Sequence, residues 1–471
     1  MQGGENPWNL LVHSGYREQF WNSAQSLIGI NQDLGDLVTK GLTASIKFSW
    51  DAVNTNTIVR SKTPNQYYAK GRDEDGNLIF GSPIVTGTDE LGLSESGSGS
   101  ITTYLEGSIN YNRLFAEKHR VGAMLLYNHK VTNKKLTYSK TLSLPYKYQG
   151  LAGRVTYAFK DTYFAEFNMG YNGSENFAKG HRFGFFPAYA VGWMISNEKF
   201  WEPIRNIVSN FKIRGSYGLV GNDQVPYTRF LYMGITTLND SPSYQTGYGS
   251  HKESHNGPTF SRFENEDMTW EVGHKLNVGA DIQLFNSLNL TVDAFREIRS
   301  NILTTKGSIP NYLGAAKTVI YGNFAKVKNW GVDLAVDYGK QINRDLSIQF
   351  KGTFTFARNR VMETDEAADI RPALSAVRKP LNTLWGYVAD GLYIDEADIA
   401  NNPTSTLGNI TIAAGDVKYV DQPDVNGNYD GQIDSDDRVA IGHPTIPEII
   451  YGFGFSVGYK AFDFNCFFQG S

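Results

Sequence analysis

The chain has 471 residues, a formal net charge of -4 and one cysteine. A balance this near neutrality, with no basic stripe, excludes a nucleic-acid binder, which has to neutralise phosphates. The lone Cys466 excludes a disulfide framework and a thiolate metal cluster.

Two further exclusions concern membranes and export. No run of 18 apolar residues occurs, so no helix is expected to span a bilayer. The opening MQGGENPWNLLVHSGYREQ has neither the basic nor the apolar segment of a secretion signal, so the mature start is expected to lie upstream.

Taken in chain order, the sequence alternates with a period of two. From Leu42 to Trp50 the even positions Leu42, Ala44, Ile46, Phe48 and Trp50 are apolar, and the odd ones are polar. Ile101, Leu105, Ile109 and Tyr111 then oppose Glu106, Ser108, Asn110 and Asn112. Val121 to Tyr127 and Val155 to Phe159 repeat the pattern, and Tyr163 to Tyr171 sets apolar residues against Glu166 and Asn168. The segments 211–217, 276–284, 288–294, 332–338, 346–356 and 451–459 follow suit, giving roughly fourteen to sixteen strands. Forty-eight glycines and 55 Tyr plus Phe suit strands with one wet and one greasy face.

Short polar turns join some strands, as at 159–163, 285–288, 339–345 and 459–461, whereas the connections near 60–100, 220–272, 298–330 and 358–448 are long. This predicts an all-β fold: a large antiparallel transmembrane β-barrel of the outer membrane, with short periplasmic turns and long extracellular loops. Hydrocarbon leaves no backbone amide a partner outside the sheet, so a spanning sheet pairs internally and turns apolar side chains to lipid. The competing reading is a soluble β protein whose apolar stripes pack on a dry core. Strands longer than the usual five or six residues or so argue against it. So does the lack of interdomain linkers; 93–100 reads as the tail of a long loop.

Chemistry-bearing motifs are few. Asn426, Asn428, Asp430, Asp434 and Asp437 sit at spacings of a calcium loop, with Gly431 at the turn and Asp421 and Asp424 upstream. The same residues equally describe an acidic loop ordered by Asx-turns, and any bound Ca2+ would be structural. His251 and His255 lie four apart, but flanking glycines and a proline make their segment a surface loop. Tyr244, Tyr248, Trp270 and Trp385 fall in loops, placed either to stack on sugar rings or to pack the loops on themselves. No catalytic motif is present and no carboxylate pair can be set on facing walls, so no enzyme and no cofactor are expected.

Several ordered segments carry a resemblance. Arg154 to Phe164 leads into Arg182-Phe183-Gly184-Phe185-Phe186-Pro187 and Val191-Gly192-Trp193, then Glu198-Lys199-Phe200. Arg214 to Asn222, Trp270-Glu271, Asn323 to Leu334, Gly386-Tyr387, Gly391-Leu392-Tyr393, Gly415 to Gly442 and Tyr451-Gly452-Phe453 come next. Together they resemble the SusC-like TonB-dependent transporters of the Bacteroidetes, with Asn172 to Phe177 departing from the family's pattern by lacking its Asp and Arg. The resemblance covers nearly all of 1–471 as barrel domain and implies a twenty-two-stranded barrel in the parent protein. It also implies a plug and a carboxypeptidase-like domain upstream, and further strands downstream. The implied activity is active import of glycans or other oligomers, oligosaccharide or peptide. The implied partners are a SusD-like lipoprotein and TonB with ExbB and ExbD. A soluble or surface-anchored glycan-binding protein is the main alternative and a β-rich glycosidase the third.

Overall fold

The computed structural model describes residues 7–135, 141–224, 229–308, 320–409 and 411–471. The alternating segments form fourteen long strands. They are β1 (Gly15–Asp33), β2 (Leu42–Ser61), β3 (Gly92–Phe115), β4 (His119–Lys135), β5 (Tyr146–Phe159), β6 (Tyr163–Ser174) and β7 (Phe183–Met194). The rest are β8 (Val208–Asn222), β9 (Glu271–Leu284), β10 (Leu288–Thr305), β11 (Tyr321–Gln341), β12 (Leu346–Glu363), β13 (Ile449–Tyr459) and β14 (Phe462–Gly470). They pair in chain order as one 14-stranded sheet, so each strand's neighbour is the next long strand along the chain.

The chain divides into two compact units. The first comprises Met1–Gln32, Ser45–Gly107 and Tyr127–Gln149; it holds the small hairpin Gln66–Arg72 with Leu78–Val85. The second comprises Asp33–Ala44, Ser108–Leu126 and Gly150–Ser471. Within it β9 and β10 pair without a slip from Val272↔Ser300 to Leu284↔Leu288, and β12 pairs β13 from Leu346↔Tyr459 to Phe356↔Ile449. A one-residue slip would turn every side chain to the wrong face, which is why the alternation fixes register so firmly.

Several short turns hold two consecutive non-glycine residues at positive φ. These are Ala116 (48°) with Glu117 (57°), Lys160 (52°) with Asp161 (50°) and Phe285 (52°) with Asn286 (55°). This hairpin geometry matches the strand twist, and it normally recruits Asn and Gly. Left-handed backbone costs an ordinary side chain about 1 kcal/mol. Replacing Ala116-Glu117 by Asn-Gly should therefore stabilise the β3–β4 hairpin by about 1 kcal/mol. The temperature at which folded gel mobility is lost should rise by a few degrees or so; an unchanged or lower value would refute the strain.

Among the described residues only thirteen hydrophobic side chains are buried, too few to core a soluble protein of this length. The apolar stripes are instead open: Val191 is 64 % exposed, Tyr189 56 %, Val278 51 % and Phe453 43 %. A soluble monomer does not carry apolar surface on that scale. The stacked dry centre required by the soluble reading is not what these strands build. Among the described residues no helix is long and apolar enough to cross a membrane.

Candidate functional site

The face opposite the apolar stripes is polar and cross-linked. In the second unit, register sets Arg214 (β8), Gly279 (β9), Asp293 (β10), Asp333 (β11) and Thr355 (β12) side by side. Arg214 donates through Nη1 and Nη2 to the two Asp293 oxygens at 2.7 and 2.6 Å, and through Nε to Asp281 at 3.1 Å. To reach Asp293 the guanidinium passes directly over Gly279. A Cβ there would lie 2.4 Å from Asp293 Oδ1 and 2.8 Å from Arg214 Cζ, so a side chain at this position would displace the ion pair. Thr291 donates to Asp281 at 3.2 Å and Thr355 to Asp333 at 2.8 Å.

The same face carries Arg154 with Glu166 at 2.8 Å and Arg299 with Glu271 at 3.0 Å and Glu297 at 2.9 Å. In the first unit, Lys47 meets Glu106 at 3.1 Å, and the Tyr104 hydroxyl donates to Glu106 at 2.6 Å. Such a surface holds water and hydrogen-bonding solutes, and most of its charges already have partners.

The 364–448 connection between β12 and β13 is a small folded body. Leu384–Gly386 pairs Val439–Ile441, Ala389–Leu392 pairs Val417–Tyr419, and Thr404–Ser405 runs parallel to Gln432–Ile433. Arg371 is its centre. Its Nη1 donates to Asp437 Oδ1 at 2.7 Å and to the Gln422 carbonyl, its Nη2 donates to Asp430 at 2.5 Å, and Asp421 Oδ1 stands 3.7 Å from Nη1. Asp437 is fully buried and also accepts from the backbone N–H groups of Gln422 at 2.9 Å and Asp434 at 2.7 Å.

This bears on the predicted calcium ligands. Asp430 and Asp437 do come together, but around a guanidinium. Asp434 accepts from Asp436 N at 2.7 Å, and Asp424 accepts from the N–H groups of Asn426 at 2.8 Å and Asn428 at 2.9 Å. Among the described residues no three His, Cys, Asp or Glu side chains gather as a metal would require. The hydrogen bonds of Asp424 and Asp434 to backbone N–H groups two residues on are those of Asx-turns. The backbone N–H of Asn428, reinforced by that of Asn426, holds the Asp424 carboxyl below its ordinary range. Burial pushes Asp421 up, against the Gly431 N–H, and the nearby Asp437 and Asp430 charges push the same way.

The loop aromatics separate. Trp270 is a correction: it is 4 % exposed, with its ring 5.4 Å from Phe177 and 5.3 Å from Phe186, so no sugar can stack on it. Its indole N–H donates to the Arg182 carbonyl at 3.3 Å. Trp385 is half-buried under the Lys379 ammonium, 4.4 Å from the ring centre. Tyr248 is open to solvent between Ile235–Thr246 and Glu253–Arg262, and the Tyr244 side chain lies outside the described residues. His251 and His255 also lie on this hairpin and its turn rather than on a helix. Sequence reading missed Arg371, Arg214 and Phe177. The only signals were an arginine upstream of an acidic loop and an arginine at a polar strand position.

One sheet with an ion-paired wet face and a bare apolar face meets, over residues 4–460, the profile of the family described as TonB dependent receptor-like, beta-barrel. The chain belongs to that family. It is an outer-membrane β-barrel chain, and the expected fold class and location stand. TonB-dependent receptor P3 of Formosa agariphila is 26 % identical over 451 residues, covering 92 % of this chain and 43 % of that protein. TonB-dependent receptor SusC of Bacteroides thetaiotaomicron is 24 % identical over 323 residues, covering 66 % of this chain and 30 % of SusC. The structure of the RagAB peptide importer in its closed-closed state superposes with a TM-score of 0.66 at 20 % identity, over 96 % of this chain and 48 % of that one, a likeness of fold. The chain thus spans less than half the length of the curated relatives it matches.

Proposed function

We propose that the protein to which this TonB-dependent receptor barrel belongs imports an oligomeric nutrient, glycan or peptide, across the outer membrane. A SusD-like lipoprotein would close over the long-loop side, and TonB with ExbB and ExbD would supply the work. The observation that carries the reading is the two-faced sheet: apolar side chains exposed on one face and a row of paired charges on the other. Arg214, Arg154 and Arg299 of the second unit, and Lys47 of the first, are each held by a neighbouring carboxylate, which leaves little free countercharge for a polyanion or polycation. Hydrogen-bonding neutral oligomers suit such a wall. The names of the relatives support the class, one being SusC and another fold neighbour a peptide importer.

Deleting the protein should abolish growth on at least one neutral oligosaccharide or peptide mixture and spare growth on the corresponding monomer. Loss of TonB should reproduce the defect. Unimpaired uptake of every oligomer tried, or recovery of the protein in the soluble fraction, would refute the proposal.

A further inference from the structure

The apolar face of β9–β12 ends in cations on the side of the long connections. Val278, Ala294, Val332 and Phe356 form one apolar row by register. The next row on the same face toward the long connections is Leu276, Arg296, Trp330 and Arg358, with Tyr217 of β8 beside Leu276. The row beyond is His274, Ile298, Lys328 and Arg360. The sequence therefore runs from lipid stripe to aromatic residues to positive charge within two steps of the pleat.

These cations outnumber the carboxylates within reach. Glu448 takes Arg358 at 2.6 Å and Arg360 at 3.8 Å, and Glu363 takes Lys326 at 3.2 Å. Among the described residues Arg296 and Lys328 meet no carboxylate within ion-pair distance; Lys328 lies 4.8 Å over the Trp330 ring, and Arg296 is exposed. A groove of about 380 Å³ opens here, floored by Leu276 and Ile298 and edged by Tyr217, His274, Arg296 and Lys326. Tyr217 and His274 are joined, Oη to Nδ1, at 3.1 Å.

Purely solvated cations need neither an apolar floor nor a place on the lipid face. A guanidinium fork and an ammonium bordering hydrocarbon match a phosphate whose acyl chains continue down the stripe. Tyr and Trp at the boundary mark the headgroup level. We propose that this groove binds the phosphorylated headgroup of an anionic lipid in the leaflet on the long-loop side. Arg296 at the groove's edge and Lys328, paired by register with the groove's Ile298, hold the phosphate, and the acyl chains lie along Leu276, Val278 and Val332.

The test uses the full-length protein extracted from outer membranes in neutral detergent and stripped of lipid. The probes are diphosphorylated lipid A, its dephosphorylated form and inorganic phosphate, with retention read by native mass spectrometry. The wild type should retain the diphosphorylated lipid, less so at high salt. R296Q/K328Q should weaken retention roughly tenfold to thirtyfold, while R296K/K328R should keep most of it, and K118Q, in the short β3–β4 turn, should change nothing. Folded gel mobility shows that each variant is intact. Equal retention by R296Q/K328Q, equal binding of the dephosphorylated lipid, or displacement by inorganic phosphate at matching concentration would each overturn the assignment.

Discussion

Replacing Arg371 by methionine should unfold the 364–448 connection at a cost of about 3–5 kcal/mol while leaving the long strands paired. The guanidinium is 10 % exposed and serves Asp437, which is 0 % exposed, Asp421, which is 7 % exposed, and the more open Asp430. Removing it strands carboxylates that cannot return to water without opening the loop. The backbone amides of Gln422, Gly431 and Asp434 donate to these same carboxylates, so they should lose protection from hydrogen exchange together. Rapid cleavage between 364 and 448 by added protease would accompany this. Unchanged protection would refute the central role of Arg371.

The pH dependence has a definite sign. Burial already raises the Asp421 pKa, and losing the neighbouring cation raises it further. A carboxyl whose folded pKa exceeds its unfolded value of about 3.9 costs stability above the folded pKa. That cost is relieved as pH falls through it. The R371M loop should therefore regain stability as pH falls from neutral through the raised Asp421 pKa. In the wild type the Arg371 charge holds part of the Asp421 shift back, so the two lowered carboxyls of the loop weigh more. Asp424 is held low by the Asn428 and Asn426 amides, and Asp398 is held low by the Ile394 amide and Lys418, with burial opposing in both. Their contribution is present above the unfolded pKa and is lost as pH drops through the folded values. Protease resistance at neutral and mildly acidic pH separates the two; a variant that weakens further on acidification would contradict the argument.

Trp270→Ala should destabilise the long-loop ends of β7, β8 and β9 by about 3–5 kcal/mol, the usual range for emptying a buried tryptophan site. Phe177 and Phe186 cover its ring, Leu219 and Val272 pack beside them, and its N–H ties down the Arg182 carbonyl. The neighbouring backbone is clamped by Asn323, which accepts from Thr269 N at 2.9 Å and donates to Thr269 O at 2.9 Å and Asn301 O at 2.6 Å. Trp270→Phe keeps a ring but loses the donor, so it should lose less. Denaturant midpoints measure both. Equal stability of the alanine variant, with transport lost, would restore Trp270 as a substrate-facing residue.

The residues themselves show why some of this could be read in advance. Leu276, Val278 and Ala280 alternate with Lys275, Asn277 and Asp281 whatever their neighbours are, because the pleat turns successive side chains to opposite faces. The short turns at 160 and 285 and the long connection before β13 are equally local facts. Trp270 shows the limit. An aromatic in a loop looks the same in sequence whether it greets a ligand or fills a core, and its partners Phe177 and Phe186 lie far upstream.

By itself, then, the sequence determined the strands, their two faces, the family and the side on which the long connections lie. The strands, faces and connections are written in the period or spacing of nearby residues, and the family in the resemblance of its ordered motifs. Only the tertiary structure decided which charges meet. Arg214 finds Asp281 and Asp293 67 and 79 residues away, and Arg371 finds Asp430 and Asp437 59 and 66 residues away. Those pairings follow from register between strands for Arg214 and from the folding of one connection for Arg371, and a slip of one residue would have set Arg214 against different neighbours.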